Sequence, residues 1–242
     1  MTIIKFSKEK MLDKNKHKLI LVEILKEIYS DVELRTILGF KGGTAAFLFY
    51  DLPRLSVDLD FDLLDLKKKE LTLKKIKVIL SRFGQVEDIK EKRYTLFGLL
   101  SYGKGERKVK IEISKRKSIA LFKLRQYLGI SMLVMEKEDM AAGKLSALIT
   151  RKKLASRDIF DLWFFLKNNW QINEKIVEEK TGLSLIKALK KAKKIVKEVP
   201  RTYLLQGMGE LLDENQKQTV KEKMRDDLIF RINFALSEVD NK

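Results

Sequence analysis

Residues 57–63, Val-Asp-Leu-Asp-Phe-Asp-Leu, alternate strictly between apolar and acidic side chains. This period of two is typical of a β-strand, in which successive side chains point to opposite faces of a sheet. One face of the strand can therefore be buried, while Asp58 and Asp60 lie close together on the other. Because neighbouring carboxylates repel each other, the pair needs a cation or basic groups nearby. Carboxylate oxygens suit Mg²⁺ or Mn²⁺, so the segment predicts a sheet protein with a candidate metal site.

A third acid, Glu112, lies between two isoleucines in a second predicted strand, residues 108–114. For an isolated glutamate, a solvent-facing position on a half-exposed strand is the better interpretation. Asp58 and Asp60 already indicate a bound cation, and Glu112 would give that cation a third carboxylate ligand. We therefore favour a site formed by all three carboxylates. Asp62 continues the acidic face one strand step further, and we expect it to be solvated.

The segment Lys41-Gly42-Gly43-Thr44 connects a short apolar strand to a predicted helix. Glycines allow close approach of the backbone, and free N–H groups at a helix start can hold an anion. A lone glycine pair usually forms a tight turn, and Thr44 can simply cap the helix. Since only one helix and one turn separate the pair from Asp58, we favour a phosphate-binding turn to which Thr44 adds a hydroxyl.

The remaining periodicity predicts an α+β fold, with a mixed β-sheet flanked by helices in residues 1–125. An all-helical half, residues 126–242, is expected to pack against this domain and complete the active site. Strands are predicted at residues 37–40, 57–63, 85–90, 94–102 and 108–114, the last two joined by a hairpin at 103–105. Helices are predicted at residues 7–29, 44–50, 66–83, 138–153, 157–167, 184–197 and 216–237.

The chain is strongly basic, with 51 Lys and Arg against 34 Asp and Glu, a net charge of +17 and a pI near 9.7. Such an excess serves solubility in some proteins and binds a polyanion in others. Charge alone leaves both explanations open.

Several classes of protein are disfavoured by what the sequence lacks. Without cysteine there is no disulfide and no thiolate site. The single histidine, His17, has no partner pattern, so a Ser-His-Asp hydrolase is disfavoured and a surface position is expected. No apolar run approaches the roughly 20 residues needed to span a bilayer, and no signal core is seen. We therefore expect a cytoplasmic protein without a membrane partner.

Taken together, residues 41–46, Tyr50 and residues 54–61 resemble the AbiEii/AbiGii-type toxin nucleotidyltransferases. In the wider DNA polymerase beta-like nucleotidyltransferase superfamily, a glycine pair and a helix precede Asp-x-Asp on a strand, and a third acid lies on a later strand. Residues 140–148 and 156–162 are similar to the family's helical lysine and its Arg-Asp-x-x-Asp segment. The resemblance covers roughly residues 35–165 and implies a nucleotidyltransferase-type sheet in the N-terminal domain.

The resemblance implies a metal-dependent enzyme that uses a nucleoside triphosphate as substrate. Mg²⁺ or Mn²⁺ would be held by Asp58, Asp60 and Glu112. The residues expected around the nucleotide are Gly42, Gly43, Thr44, Ser56, Lys144, Arg157, Asp158 and Asp161, with Lys144 on the triphosphate and the last three lining or bracing the pocket. Other interpretations stay open: Lys144 as a solvated surface charge, Asp158 as a helix cap or a partner of Arg157, and Arg54 and Ser56 as simple turn residues.

An RNA acceptor, such as a tRNA 3′ end, agrees with the net charge and with the family's toxin role. The resemblance also implies a cognate antitoxin and a part in phage defence or growth control. Two alternatives are a non-catalytic nucleotide- or nucleic-acid-binding module with the same fold and a basic structural RNA-binding protein. The second leaves the acidic strand unexplained.

Overall fold

The computed structural model describes residues 12–240. Its strands are β1 (Leu38–Lys41), β2 (Asp58–Leu63), β3 (Gln85–Glu91), β4 (Thr95–Ser101), β5 (Val109–Ser114), β6 (Phe122–Tyr127) and β7 (Ile130–Met135). Its α-helices are α1 (Lys14–Ser30), α2 (Leu34–Ile37), α3 (Gly42–Phe49), α4 (Lys69–Ser81), α5 (Lys137–Thr150), α6 (Ser156–Lys167), α7 (Glu174–Thr181), α8 (Leu185–Glu198), α9 (Glu214–Thr219) and α10 (Arg225–Asp240). Within this range no helix is long and apolar enough to cross a membrane.

The described chain divides into two compact units, of which the first comprises residues 12–38 and 57–116. Its strands lie in the order β3-β4-β5-β2. Strands β2 and β5 are parallel, whereas the β3–β4 and β4–β5 pairs are antiparallel. The mixed β-structure expected from the sequence is therefore confirmed, as is the hairpin that joins β4 to β5.

Helices α1 and α4 form because their apolar residues recur at helical spacing and are buried on one face. In α1 the Asp13 side chain accepts a hydrogen bond from the Lys16 backbone N–H at 3.0 Å and caps the first turn. Helix α4 packs on β3 and β4, and α1 contacts α4. The predicted opening helix is thus confirmed from Lys14 onward, while residues 7–11 lie outside the described part of the chain.

The second unit comprises residues 39–56 and 117–240. Here β1 pairs in parallel with β7, which pairs in antiparallel with β6 across a turn at Leu128 and Gly129, both with positive φ. From Lys137 onward the described residues form helices and short turns, and α5 packs against α6, α7 and α8. The predicted helices 138–153, 157–167 and 184–197 are confirmed in α5, α6 and α8.

One expectation about the fold needs correction. Residues 126–242 are not all helical, because β7 and the end of β6 lie within them and bury Met132 and Val134 in a strand. The helical stretch predicted at 216–237 is confirmed in α9 and α10, which continue into one another through a π-helical turn at Val220–Met224, and α7 was not predicted. By compactness, residues 39–56 group with the C-terminal part of the chain, while the predicted boundary near residue 125 stays a prediction.

Candidate functional site

The acidic strand has the two faces that its alternation predicts. On β2, Leu59 and Phe61 are fully buried, whereas Asp58 and Asp60 are half-buried. The parallel register of β2 and β5 places Asp60 directly opposite Glu112, which is the central residue pair of the two strands. The structure therefore brings the three predicted carboxylates onto neighbouring strands. Asp62 is buried and not solvated as expected, with 4% of its surface exposed.

Lys110 supplies a positive charge to this acidic surface. Its Nζ lies 3.1 Å from Asp58 Oδ2 and 4.0 Å from Glu112 Oε1. Among residues 12–240, no three acidic or histidine side chains converge closely enough to form a finished metal cluster. The oxygens thus share a face and a register, with an ammonium between two of them. The metal role of Asp58, Asp60 and Glu112 stays a prediction.

His17, expected at the surface, is instead fully buried behind the start of β2. Its Nε2 lies 3.0 Å from the Val57 carbonyl oxygen and its Nδ1 lies 2.8 Å from Tyr102 Oη. Burial lowers the pKa of the imidazole by more than the Val57 carbonyl raises it, so the neutral ring is favoured. A neutral ring can donate from Nε2 to the carbonyl and accept at Nδ1 from the tyrosine hydroxyl. This residue anchors the backbone one position before Asp58.

The glycine turn lies in the second unit, at the start of α3. Gly42 has a φ of 79°, in the left-handed region that favours glycine. A Cβ placed on Gly43 would lie 2.8 Å from an Arg54 guanidinium nitrogen and 2.8 Å from Ser56 Oγ. Gly43 is therefore needed for close packing against the chain that leads into β2. Thr44 is fully buried, and the phosphate-binding role of this turn stays a prediction.

A buried ion-pair network occupies the centre of the second unit. The Arg54 guanidinium donates from Nε to Asp161 Oδ1 at 2.6 Å and from Nη2 to Asp161 Oδ2 at 2.7 Å. Lys144 Nζ lies 2.8 Å from Asp161 Oδ2 and 3.0 Å from Asp158 Oδ1. Arg151 Nε lies 3.1 Å from the other oxygen of Asp158. Two buried aspartates are thus balanced by three basic side chains.

The ionisation of this network follows from competition between burial and charge. Burial alone would raise the pKa of Asp161, but the charges of Arg54 and Lys144 outweigh it and lower the pKa to about 2. Burial would likewise lower the pKa of Lys144, but Asp161 and Asp158 outweigh it and raise the pKa. Asp161 and Lys144 therefore stay charged at neutral pH.

The network resolves several open interpretations of single residues. Arg54 is not an exposed turn residue, because 3% of its surface is exposed. Asp158 pairs with Lys144 and Arg151, and Arg157 is half-buried. The Lys144 ammonium is held by two aspartates and is not a freely solvated charge, while its predicted contact with a triphosphate stays a prediction. The sequence did not identify the pairing of Arg54 with Asp161, because no local spacing signals a contact across 107 residues. It did not identify Arg151 either, whose partner Asp158 lies on the following helix.

Comparisons with known proteins agree with this fold. JHP933 from Helicobacter pylori has a TM-score of 0.61 at 22% identity, with 94% of each chain covered. A second H. pylori structure, provisionally described as a nucleotidyltransferase, has a TM-score of 0.61 at 21% identity and covers 94% of this chain and 96% of its own. No match is found among curated proteins. The family described as nucleotidyl transferase AbiEii toxin, type IV TA system, matches residues 23–231. The chain therefore belongs to the AbiEii nucleotidyl transferase toxin family.

Proposed function

We propose that this protein transfers a nucleoside monophosphate from a nucleoside triphosphate to an RNA hydroxyl, with a tRNA 3′ end as the acceptor. Family membership supports nucleotidyl transfer. The observation that carries the assignment to particular residues is the pairing of Asp60 with Glu112 on adjacent strands, with Asp58 on the same face of β2. An acidic surface of this kind is otherwise costly, because its charges repel each other.

The three carboxylates fit a hard divalent cation such as Mg²⁺ or Mn²⁺. All their ligand atoms are oxygens, which these cations prefer. The side chains of Asp58 and Glu112 are 17% and 38% exposed, so both are accessible to an incoming ion and substrate. When bound, the cation would neutralise phosphate charge and polarise the phosphoryl group. Lys110 already shows that this surface attracts a positive charge.

Besides the cation, the transfer needs a leaving group and a base that accepts the proton of the attacking hydroxyl. The acceptor oxygen forms a bond to the α-phosphorus while the bond from that phosphorus to the β-phosphate bridging oxygen breaks, and pyrophosphate leaves. The proton of the acceptor hydroxyl goes to a carboxylate, and Glu112 suits this role because its side chain is 38% exposed, against 17% for Asp58. The reaction requires neither a cysteine nor a histidine at the reacting atoms.

The biological setting follows from the family and from charge. A type IV toxin implies a cognate antitoxin and a nucleotide substrate. We propose that modification of RNA halts translation and thereby serves phage defence or growth control. A net charge of +17 supports a polyanionic acceptor, because lysine and arginine displace the counterions of phosphates.

Transfer is tested with triphosphates labelled at the α-phosphate, incubated with total RNA and with total protein in the presence of Mg²⁺ or of EDTA. The wild type should label RNA with Mg²⁺ only. Asp58→Asn, Asp60→Asn and Glu112→Gln should abolish labelling, whereas Glu70→Gln, an exposed acid on α4, should leave it unchanged. All four variants should keep the helical circular dichroism of the wild type.

The outcomes separate the competing functions. Labelling that persists in an Asp58→Asn/Asp60→Asn variant would exclude these carboxylates as the catalytic site. Nucleotide or RNA binding without any incorporation would favour the non-catalytic binding module. Label in protein and not in RNA would support nucleotidyl transfer but show that the acceptor is a protein.

A further inference from the structure

Helix α8 carries a concentrated positive charge. Six of its fourteen residues are lysines and one is a glutamate, so it contributes a net +5 of the chain's +17. Five of these lysines are exposed: Lys187, Lys190, Lys191, Lys194 and Lys197. A short helix thus holds nearly a third of the excess charge.

The exposed lysines lie on one side of the helix. At 3.6 residues per turn, positions 187, 190, 191, 194 and 197 fall within an arc of about 120° and span about 15 Å along the axis. The opposite side is buried and consists of Leu185, Ala188, Leu189, Ala192 and Val196. This apolar side packs against α5, α7 and α10, so the orientation of the lysine face is fixed by the core.

Some lysines of the first unit form close ion pairs, whereas those of α8 do not. Near α4, Lys75 lies 2.7 Å from Asp31 and Lys69 lies 3.2 Å from Glu91. In the described chain, the one ion pair formed by the α8 lysines joins Lys194 to Glu198 at 4.0 Å, with both side chains largely exposed. An ordinary solvated surface alternates both signs of charge. Five exposed lysines on one face therefore indicate a polyanionic ligand.

We infer that the exposed lysine face of α8 binds the phosphodiester backbone of the RNA acceptor. This inference rests on the proposed function for the identity of the acceptor. A ridge of about 15 Å spans roughly four phosphates of one strand at about 3.4 Å each. Helix α8 contains no aromatic residue and no arginine, so it offers neither stacking nor bidentate base contacts. The face positions RNA without reading its sequence.

The test measures binding of unfractionated tRNA across a series of NaCl concentrations, in EDTA and without nucleotide. The test variant is Lys187→Gln/Lys190→Gln/Lys191→Gln/Lys194→Gln, in which glutamine keeps a similar helix propensity. The control removes the same charge from exposed lysines of the first unit: Lys67→Gln/Lys74→Gln/Lys77→Gln/Lys104→Gln. The arginine version of the α8 variant keeps the charge.

Each lost phosphate contact reduces the slope of log K against log salt by about 0.7 to 0.9, so the α8 variant should lose about 3. The control and the arginine version should retain the wild-type slope. An equal loss in the control, or no loss in the α8 variant, would overturn the inference. So would displacement of tRNA by poly-glutamate at equal charge, which would indicate an acidic protein partner. If the quadruple variant does not fold, the double variant Lys190→Gln/Lys194→Gln replaces it, and the expected loss of slope is about half as large.

The binding experiment tests the role of α8 separately from the proposed transfer activity. Asp58→Asn should keep the full salt slope even though it abolishes transfer, because the carboxylate does not take part in backbone binding. An α8 variant that binds RNA with the wild-type salt slope would contradict the role of α8 and leave the proposed transfer untouched. A wild type that labels no RNA would contradict the proposed transfer and leave the salt slope as the test of α8.

Discussion

Arg54 and Asp161, 107 residues apart, form a buried two-pronged ion pair with N···O distances of 2.6 and 2.7 Å. The side chains are 2% and 0% exposed. The guanidinium also donates from Nη1 to the Leu55 carbonyl oxygen at 3.1 Å. Since a buried charge without its partner is strongly destabilising, this pair fixes the segment before β2 to helix α6.

Arg54→Met should lower the free energy of unfolding by about 3–5 kcal/mol, because it leaves Asp161 buried with one partner fewer. Arg35→Met, at an exposed position, should change it by less than about 0.5 kcal/mol. The double variant Arg54→Met/Asp161→Leu should lose less than the sum of the single variants. Urea unfolding measures these three variants, the single variant Asp161→Leu and the wild type, and additive losses would show that the two residues do not interact.

Acid should destabilise the wild type through Asp161. Its pKa in the folded protein is about 2, against an ordinary value of 3.8. The resulting stabilisation, about 2 kcal/mol, is present above the ordinary pKa of 3.8 and is lost as the pH falls through about 2. The double variant Arg54→Met/Asp161→Leu should lack this contribution. Urea unfolding at a series of acidic pH values compares the two, and parallel curves would contradict the prediction.

Two glycines on helices should respond oppositely to alanine. Gly43→Ala brings a methyl group within 2.8 Å of Arg54 and Ser56, so it should destabilise the protein by about 1–3 kcal/mol. Gly143→Ala on α5 meets nothing within 4 Å and should stabilise by about 0.5–1 kcal/mol through helix propensity. The melting temperatures of both variants, compared with that of the wild type, test this prediction. A neutral Gly43→Ala would mean that this close approach is relieved without cost.

His17 should be a structural residue of the first unit. His17→Ala leaves the Val57 carbonyl and the Tyr102 hydroxyl without their partner and opens a cavity, at a cost of about 2–4 kcal/mol. Tyr102→Phe, which removes one hydrogen bond, should cost about 1 kcal/mol. Asn15→Ala, exposed on the same helix, is the control. Stability of His17→Ala equal to that of the control in urea would contradict this role.

Local patterning was sufficient to predict the acidic strand and its surroundings. The alternation at 57–63 predicted β2 and the two faces of its first four residues but not the burial of Asp62, and flanking isoleucines predicted the orientation of Glu112. Helical periodicity predicted α4, α5, α6 and α8 to within a few residues at each end. In each of these, the burial pattern repeats along one element, so the sequence of that element contains the information.

The features that were missed depend on contacts between distant segments. His17 is buried because Val57 and Tyr102 complete its hydrogen bonds, and neither is near it in sequence. In β6, Leu124 is exposed while Phe122 and Tyr127 are half-buried, so the apolar residues of this strand predict neither face. Burial of Arg54 requires Asp161 from another helix. Local patterns in a single sequence carry no information about such distant partners.

Lys110 gives the acidic surface an internal counterion. Its ammonium stands 3.1 Å from Asp58 and 4.0 Å from Glu112, so part of the negative charge of the strand pair is balanced within the chain itself. In the proposed function, binding of a divalent cation to these oxygens would be an exchange reaction in which one positive group replaces another. The flexible lysine stem would let the ammonium withdraw without any movement of β2 or β5. The same folded sheet would then serve both the cation-free and the cation-bound protein.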